Sequence, residues 1–134
     1  MGQTPKDGQN GLVEVRHMAK IVVMDDEATV RNVIERLLKR EGHEVLAFED
    51  AAPALEEVDF SEIDLVITDL VMPTPGDQFI LIMQEDEIEV PIIVLSAHLT
   101  DVRTDYLREL GVTRILEKPF EVAQMLEAVN GALG

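Results

Sequence analysis

The sequence predicts an α/β protein: a doubly wound, five-stranded parallel sheet with five helices. Three observations carry this. Short, β-branched apolar runs alternate with segments of helical period all along the chain from residue 19. The connections between them are short, and the runs are apolar nearly throughout, the pattern of strands covered on both faces. Asp25-Asp26, Asp69, Ser96 and Lys118 stand at the ends of four of the five runs, where open α/β sheets bind ligands.

The elements follow in order. Residues 20–24 read as a buried strand, and residues 28–41 as a helix with Val30, Val33, Ile34, Leu37 and Leu38 on one face. Gly42, after the basic Lys39-Arg40, is a stop signal. Val45–Phe48 is the second strand, and residues 50–58 a short helix carrying Ala51, Ala54, Leu55 and Val58. Residues 64–68 form the third strand and 77–86 the third helix. Residues 91–95 are the fourth strand, opened by Pro91, and 100–110 the fourth helix, closed by Gly111. The fifth strand and helix are 112–116 and 120–133. Right-handed crossovers favour the strand order 2-1-3-4-5, which sets strands one and three side by side. Residues 1–18 stand apart: glycine-rich, polar and without periodicity, they read as a tag or a disordered arm. The ending Arg16-His17-Met18 resembles a cloning junction, which leaves 19–134 as the folded domain.

Composition excludes several classes. The 134 residues carry 27 acidic against 11 basic groups, a net charge of -16. That opposes direct nucleic-acid binding, which needs a basic patch. It favours basic protein surfaces as partners. The absence of cysteine removes disulfide and thiolate-metal chemistry and fits a cytoplasmic setting. No apolar run approaches the roughly 18–20 residues that span a bilayer, and no signal peptide is evident.

The candidate site is Asp25, Asp26, Asp69, Ser96 and Lys118. Each has an ordinary local role as well. The acid pair could cap the first helix, Asp69 could form a turn before Pro73, and Ser96 competes with Thr100 as a cap. Lys118-Pro119 also reads as a plain strand-to-helix turn. Glu27 reads as first-turn charge. Jointly the residues say more. Three clustered carboxylates repel unless a cation joins them, and a hard dication such as Mg2+ prefers oxygen ligands. A lysine can balance the negative charge and hold a phosphate, and a hydroxyl can donate to it.

The motifs MDDE (24–27), TDLVMP (68–73), LSA (95–97) and EKPF (117–120) resemble those of the receiver domain of two-component response regulators, which has a flavodoxin-like fold. The resemblance covers residues 19–134. It implies that Asp69 is the phosphoacceptor and that Asp26 binds Mg2+ directly, with Asp25 acting through water and the backbone carbonyl of Val71 completing the set. Ser96 would hydrogen-bond the acyl phosphate, Lys118 would pair with it, and the Lys118–Pro119 bond would be cis. The phosphodonor would be a histidine kinase or a histidine phosphotransfer protein. The chain would assist its own phosphorylation and autodephosphorylation without being a conventional enzyme. Its output would pass to a downstream protein target or a missing output domain, and it would be a monomer or weak dimer.

Two positions depart from the family pattern. Ile115 stands where receivers usually carry a switch aromatic, which calls for a different readout. Gly76-Asp77 reverses the usual acid-glycine order after the acceptor, and Asp77 is expected to cap the third helix. His98 reads as a loop histidine near the site and His43 as a turn residue. Val102, Tyr106 and Leu107 could form an output face, with at least one of them in the core. Arg31 and Val30 lie near the acid pair, where a kinase would dock. A haloacid-dehalogenase-like phosphatase would need an acid at Val71. A flavin-binding protein would need a Ser/Thr/Gly loop where Asp25-Asp26-Glu27 stand. The remaining alternative is a pseudo-receiver that binds proteins without being phosphorylated.

Overall fold

Side chains alternate across a strand, so one strand feeds two cores. In the computed structural model, which describes residues 18–134, the first strand, β1 (Lys20–Met24), shows this directly. Ile21 and Val23 enter one apolar cluster, and Val22 and Met24 the other. The elements that follow are α1 (Ala28–Arg40), β2 (Glu44–Phe48), α2 (Ala51–Glu57), β3 (Leu65–Asp69), α3 (Gly76–Glu85), β4 (Ile92–Ser96), α4 (Asp101–Glu109), β5 (Arg114–Glu117) and α5 (Val122–Leu133). A short 3₁₀ turn, Phe60–Glu62, precedes β3 and was not foreseen. The predicted tag or arm, apart from Met18, lies outside the described residues.

The five strands are parallel, in the order β2-β1-β3-β4-β5, as expected. One core packs Ile34, Leu37 and Leu38 of α1 and Met125, Ala128 and Val129 of α5 on the sheet. The other packs Ala51 and Ala54 of α2, Phe79, Ile80 and Met83 of α3, and Leu107 of α4. Phe60 and Phe79 meet edge to face, with centroids 5.1 Å apart. Both helix-ending glycines behave as expected. Gly42 and Gly111 have φ of 96° and 85°, and their amides and the next ones turn back on the preceding helix.

Three local expectations need correction. Val33 is half exposed, because the buried stripe of α1 narrows to Ile34, Leu37 and Leu38. Asp77 does not cap α3: the helix starts one residue earlier, Pro75 is its N-cap, and Asp77 supplies first-turn charge instead. The cause is Gly76, whose Cα packs against the backbone of Asp69 so tightly that a Cβ there would collide with the Asp69 carbonyl oxygen. Neither aspartate of the pair is the N-cap of α1, a position that belongs to Glu27. Thr100, by contrast, takes the α4 cap, accepting from the Arg103 amide at 3.1 Å.

Gly76→Ala therefore puts a methyl group against backbone that cannot step aside. The expected loss is roughly 1–3 kcal/mol, despite the usual helix preference for alanine, and urea unfolding measures it.

Candidate functional site

The strand registers bring the acidic residues together. Met24 pairs with Thr68, so the next residues, Asp25 and Asp69, emerge side by side from β1 and β3. Asp69 pairs with Leu95, and Ser96 with Glu117, which delivers Ser96 and Lys118 to the same rim. The Lys118 amide donates to the Ser96 carbonyl at 2.8 Å, tying the last two strand ends together. The Lys118–Pro119 bond is cis, as the resemblance implied.

Lys118 is the hub of the crevice. Its Nζ lies 2.9 Å from Asp25 Oδ2, 3.1 Å from Glu27 Oε1 and 3.1 Å from Asp69 Oδ2. The contacts to Glu27 and Asp69 are hydrogen bonds. The approach to Asp25 is an ion pair outside hydrogen-bond alignment, which leaves the buried Asp25 Oδ2 with no directed donor. Burial alone would lower the Lys118 pKa, but the carboxylates of Asp25, Glu27 and Asp69 around it outweigh that and raise it well above the ordinary lysine value. The Asp25 pKa also rises, but here burial is the cause that prevails. Burial pushes its carboxyl up, only partly opposed by the Glu27 amide and by Lys118, and the neighbouring Asp69 charge adds to the rise.

Asp25 is fully buried and anchored on three sides. Its amide donates to Phe48 O at 3.1 Å, its Oδ1 accepts from the Glu27 amide at 2.9 Å, and its carbonyl accepts from Arg31 Nη1 at 2.7 Å. Asp26 is exposed. One oxygen from each of Asp25, Asp26 and Asp69 lies within 4.8 Å of the other two. Three carboxylates offering oxygen donors at this spacing fit a hard dication. Asp69 Oδ1 accepts from the Val71 amide at 3.3 Å, so the loop that would offer the Val71 carbonyl is folded back over the acceptor, with the Val71 side chain outward. Ser96 is buried at the end of β4, and its hydroxyl donates to the His98 carbonyl at 3.3 Å rather than to a carboxylate.

All the predicted side chains thus reach one crevice, with Ser96 at its wall. Two contributors were missed. Glu27 read as first-turn charge but bonds Lys118, and only its adjacency to the acid pair hinted at this. Asp50 caps α2 and also holds Thr74 of the β3–α3 loop through the Thr74 amide and hydroxyl, at 2.7 and 2.8 Å. Burial opposes its ionisation, but these bonds prevail and lower its pKa. Ile115 sits half-buried against the core on the α4 side of the sheet. Of the proposed output residues, Leu107 is core, while Val102 and Tyr106 are exposed.

Comparison with known proteins agrees with this geometry. The family model for the response regulator receiver domain matches residues 21–130. The regulatory protein VanR of Enterococcus faecium is 32% identical over 114 residues, covering 85% of this chain and 49% of VanR. The DNA-binding transcriptional regulator NtrC of Bradyrhizobium sp. is 36% identical over 115 residues, covering 84% of this chain and 24% of NtrC. The chain therefore spans about half or less of the length of these curated relatives. Among solved structures, the chemotaxis protein CheY4 of Vibrio cholerae superposes with a TM-score of 0.79 at 26% identity, covering 87% of this chain and all of CheY4. A response regulator receiver domain protein from Clostridium thermocellum gives 0.74 at 30% identity, covering 86% of this chain and 94% of that one.

The raised Asp25 pKa sets the sign of one prediction. Between the ordinary aspartate value and the raised one, the folded state binds more protons than the unfolded, so stability falls as pH rises through that window. Asp25→Asn removes the buried anion. Its urea midpoint in metal-free buffer is expected above that of the parent at pH 7, with the difference closing as the pH falls toward 4.

Proposed function

Because the chain belongs to the response regulator receiver family of two-component systems, we propose that it accepts a phosphoryl group on Asp69 from a histidine kinase or histidine phosphotransfer protein and so switches its binding to a protein target. The observation that carries this reading is the Lys118 ammonium, bonded to Asp69 and ion-paired with the buried Asp25. Three anionic side chains converge where a fourth anion, the phosphoryl group, is to arrive.

Asp69 supplies the nucleophile. One of its oxygens forms the new P–O bond while the P–N bond of the phosphohistidine breaks, and the imidazole leaves with the electron pair. Lys118 offsets the charge of the two anions as they meet. Asp25, Asp26, Asp69 and the Val71 carbonyl are the groups that would hold Mg2+, Asp25 through water. When bound, that ion neutralises charge on the transferring group. The Ser96 hydroxyl, free to rotate away from the His98 carbonyl, would donate to a phosphoryl oxygen. Water attacking the same phosphorus would break its bond to the Asp69 oxygen, freeing the carboxylate and releasing inorganic phosphate, so the chain is a reactant that aids its own modification and its reversal.

The donor protein would approach over α1 and the β5–α5 turn. An open groove of ≈ 480 Å³ lies there, lined by Val30, Val33, Lys118 and Phe120 among others. It offers apolar contact directly beside the reacting atoms. Output would leave by the exposed Val102 and Tyr106 of α4, to a separate protein or to a further domain of a longer regulator. Among the described residues no helix is long and apolar enough to cross a membrane, and a cytoplasmic site of action is proposed. A protein-binding pseudo-receiver would have no use for a desolvated carboxylate group matched to one lysine, whose charges are costly to bury.

Incubation with acetyl phosphate, read by intact mass, tests the assignment. One phosphoryl adduct is expected on the parent, lost on chelating Mg2+ and absent from Asp69→Asn. An adduct of equal yield on Asp69→Asn would refute the acceptor.

A further inference from the structure

We propose that Glu27 is a positioning residue that holds Lys118 in the resting state and competes with the incoming phosphoryl group for it. The inference rests on the acceptor reading of Asp69. Glu27 is the N-cap of α1, yet its side chain makes no capping hydrogen bond. It turns instead across the crevice to Lys118 Nζ, 91 residues away in sequence.

The stoichiometry of Lys118 makes this contact consequential. An ammonium has three N–H donors. In this structure two are bonded to Glu27 and Asp69, and the remaining side of the group lies against Asp25 Oδ2. A phosphoryl oxygen arriving on Asp69 finds the ammonium already enclosed by three carboxylates within 3.1 Å, so one partner must yield. Asp25 cannot turn away, being fully buried with its amide and carbonyl tied to Phe48 and Arg31. Asp69 is the group under attack. Glu27 alone has water as an alternative, with its side chain 62% exposed. Its backbone meanwhile stays fixed, because its amide donates to Asp25 Oδ1 and its carbonyl accepts from the Arg31 amide. The side chain can therefore leave Lys118 without disturbing the acid pair. An exposed ion pair adds little to stability, so the contact acts on the reaction more than on the fold.

The test compares Glu27→Gln and Glu27→Asp with the parent. Glutamine keeps the length and removes the charge, whereas aspartate keeps the charge and shortens the reach. With acetyl phosphate and Mg2+, an Asp69 oxygen forms the P–O bond and acetate leaves with the electron pair. Releasing a surface-strength ion pair should speed this roughly two- to fivefold in both variants. A second readout needs neither Mg2+ nor phosphodonor: the rate at which an amine-reactive ester labels Lys118, followed by peptide mass spectrometry, should rise in both. Acceleration by glutamine with aspartate at the parent rate would overturn the proposal in favour of long-range charge. Equal phosphorylation and labelling rates in all three proteins would overturn it while leaving the Asp69 acceptor intact. Absence of an adduct from all three would overturn the acceptor reading, and the proposal with it.

Discussion

One ammonium set against three carboxylates governs this molecule. The penalty for burying Asp25 and Asp69 at adjacent strand ends is met by Lys118, which reaches them from the far side of β4. Removing Lys118 would leave two buried carboxylates uncompensated. The balance is incomplete, since Asp25 is still pushed toward protonation and one of its oxygens still lacks a directed donor. A site with this excess of negative charge favours a cation electrostatically.

The fold holds this cluster in place. β1 and β3 lie together because the strand order doubles back, and the register then leaves Asp25 and Asp69 as neighbours. Gly76 lets α3 start against the Asp69 backbone, and Asp50 pins the intervening loop through Thr74. The Lys118 amide, bonded to the Ser96 carbonyl, fixes the base of the lysine. Ser96 and Glu27, the side chains that move in the proposed mechanism, are less constrained by comparison. Ser96 makes a single long hydrogen bond, and Glu27 is open to water.

The five βα units were legible because strand runs, helical periods and the stop signals at Gly42 and Gly111 all agree. The acids and the lysine were legible for a related reason: each directly follows an apolar run, so predicting the strands places them. What escaped was set by packing between distant segments. Whether Val33 or Leu37 faces inward depends on how α1 sits on the sheet, not on period alone. The start of α3 depends on how closely Gly76 approaches Asp69, and the pairing of Asp50 with Thr74 spans two elements. Glu27 was misread because a charge in a first turn has an adequate local explanation. Its true partner is supplied by β5, at the opposite end of the sequence.

The central claim is that the carboxylate group is incompletely balanced and open to a dication. Thermal unfolding in rising MgCl2, against NaCl of matched ionic strength, tests it most directly, since a ligand that binds only the folded state raises Tm. A saturable rise specific to Mg2+, abolished in Asp26→Asn, is the predicted result. A Tm that follows ionic strength alone, identical in the two salts, would contradict it.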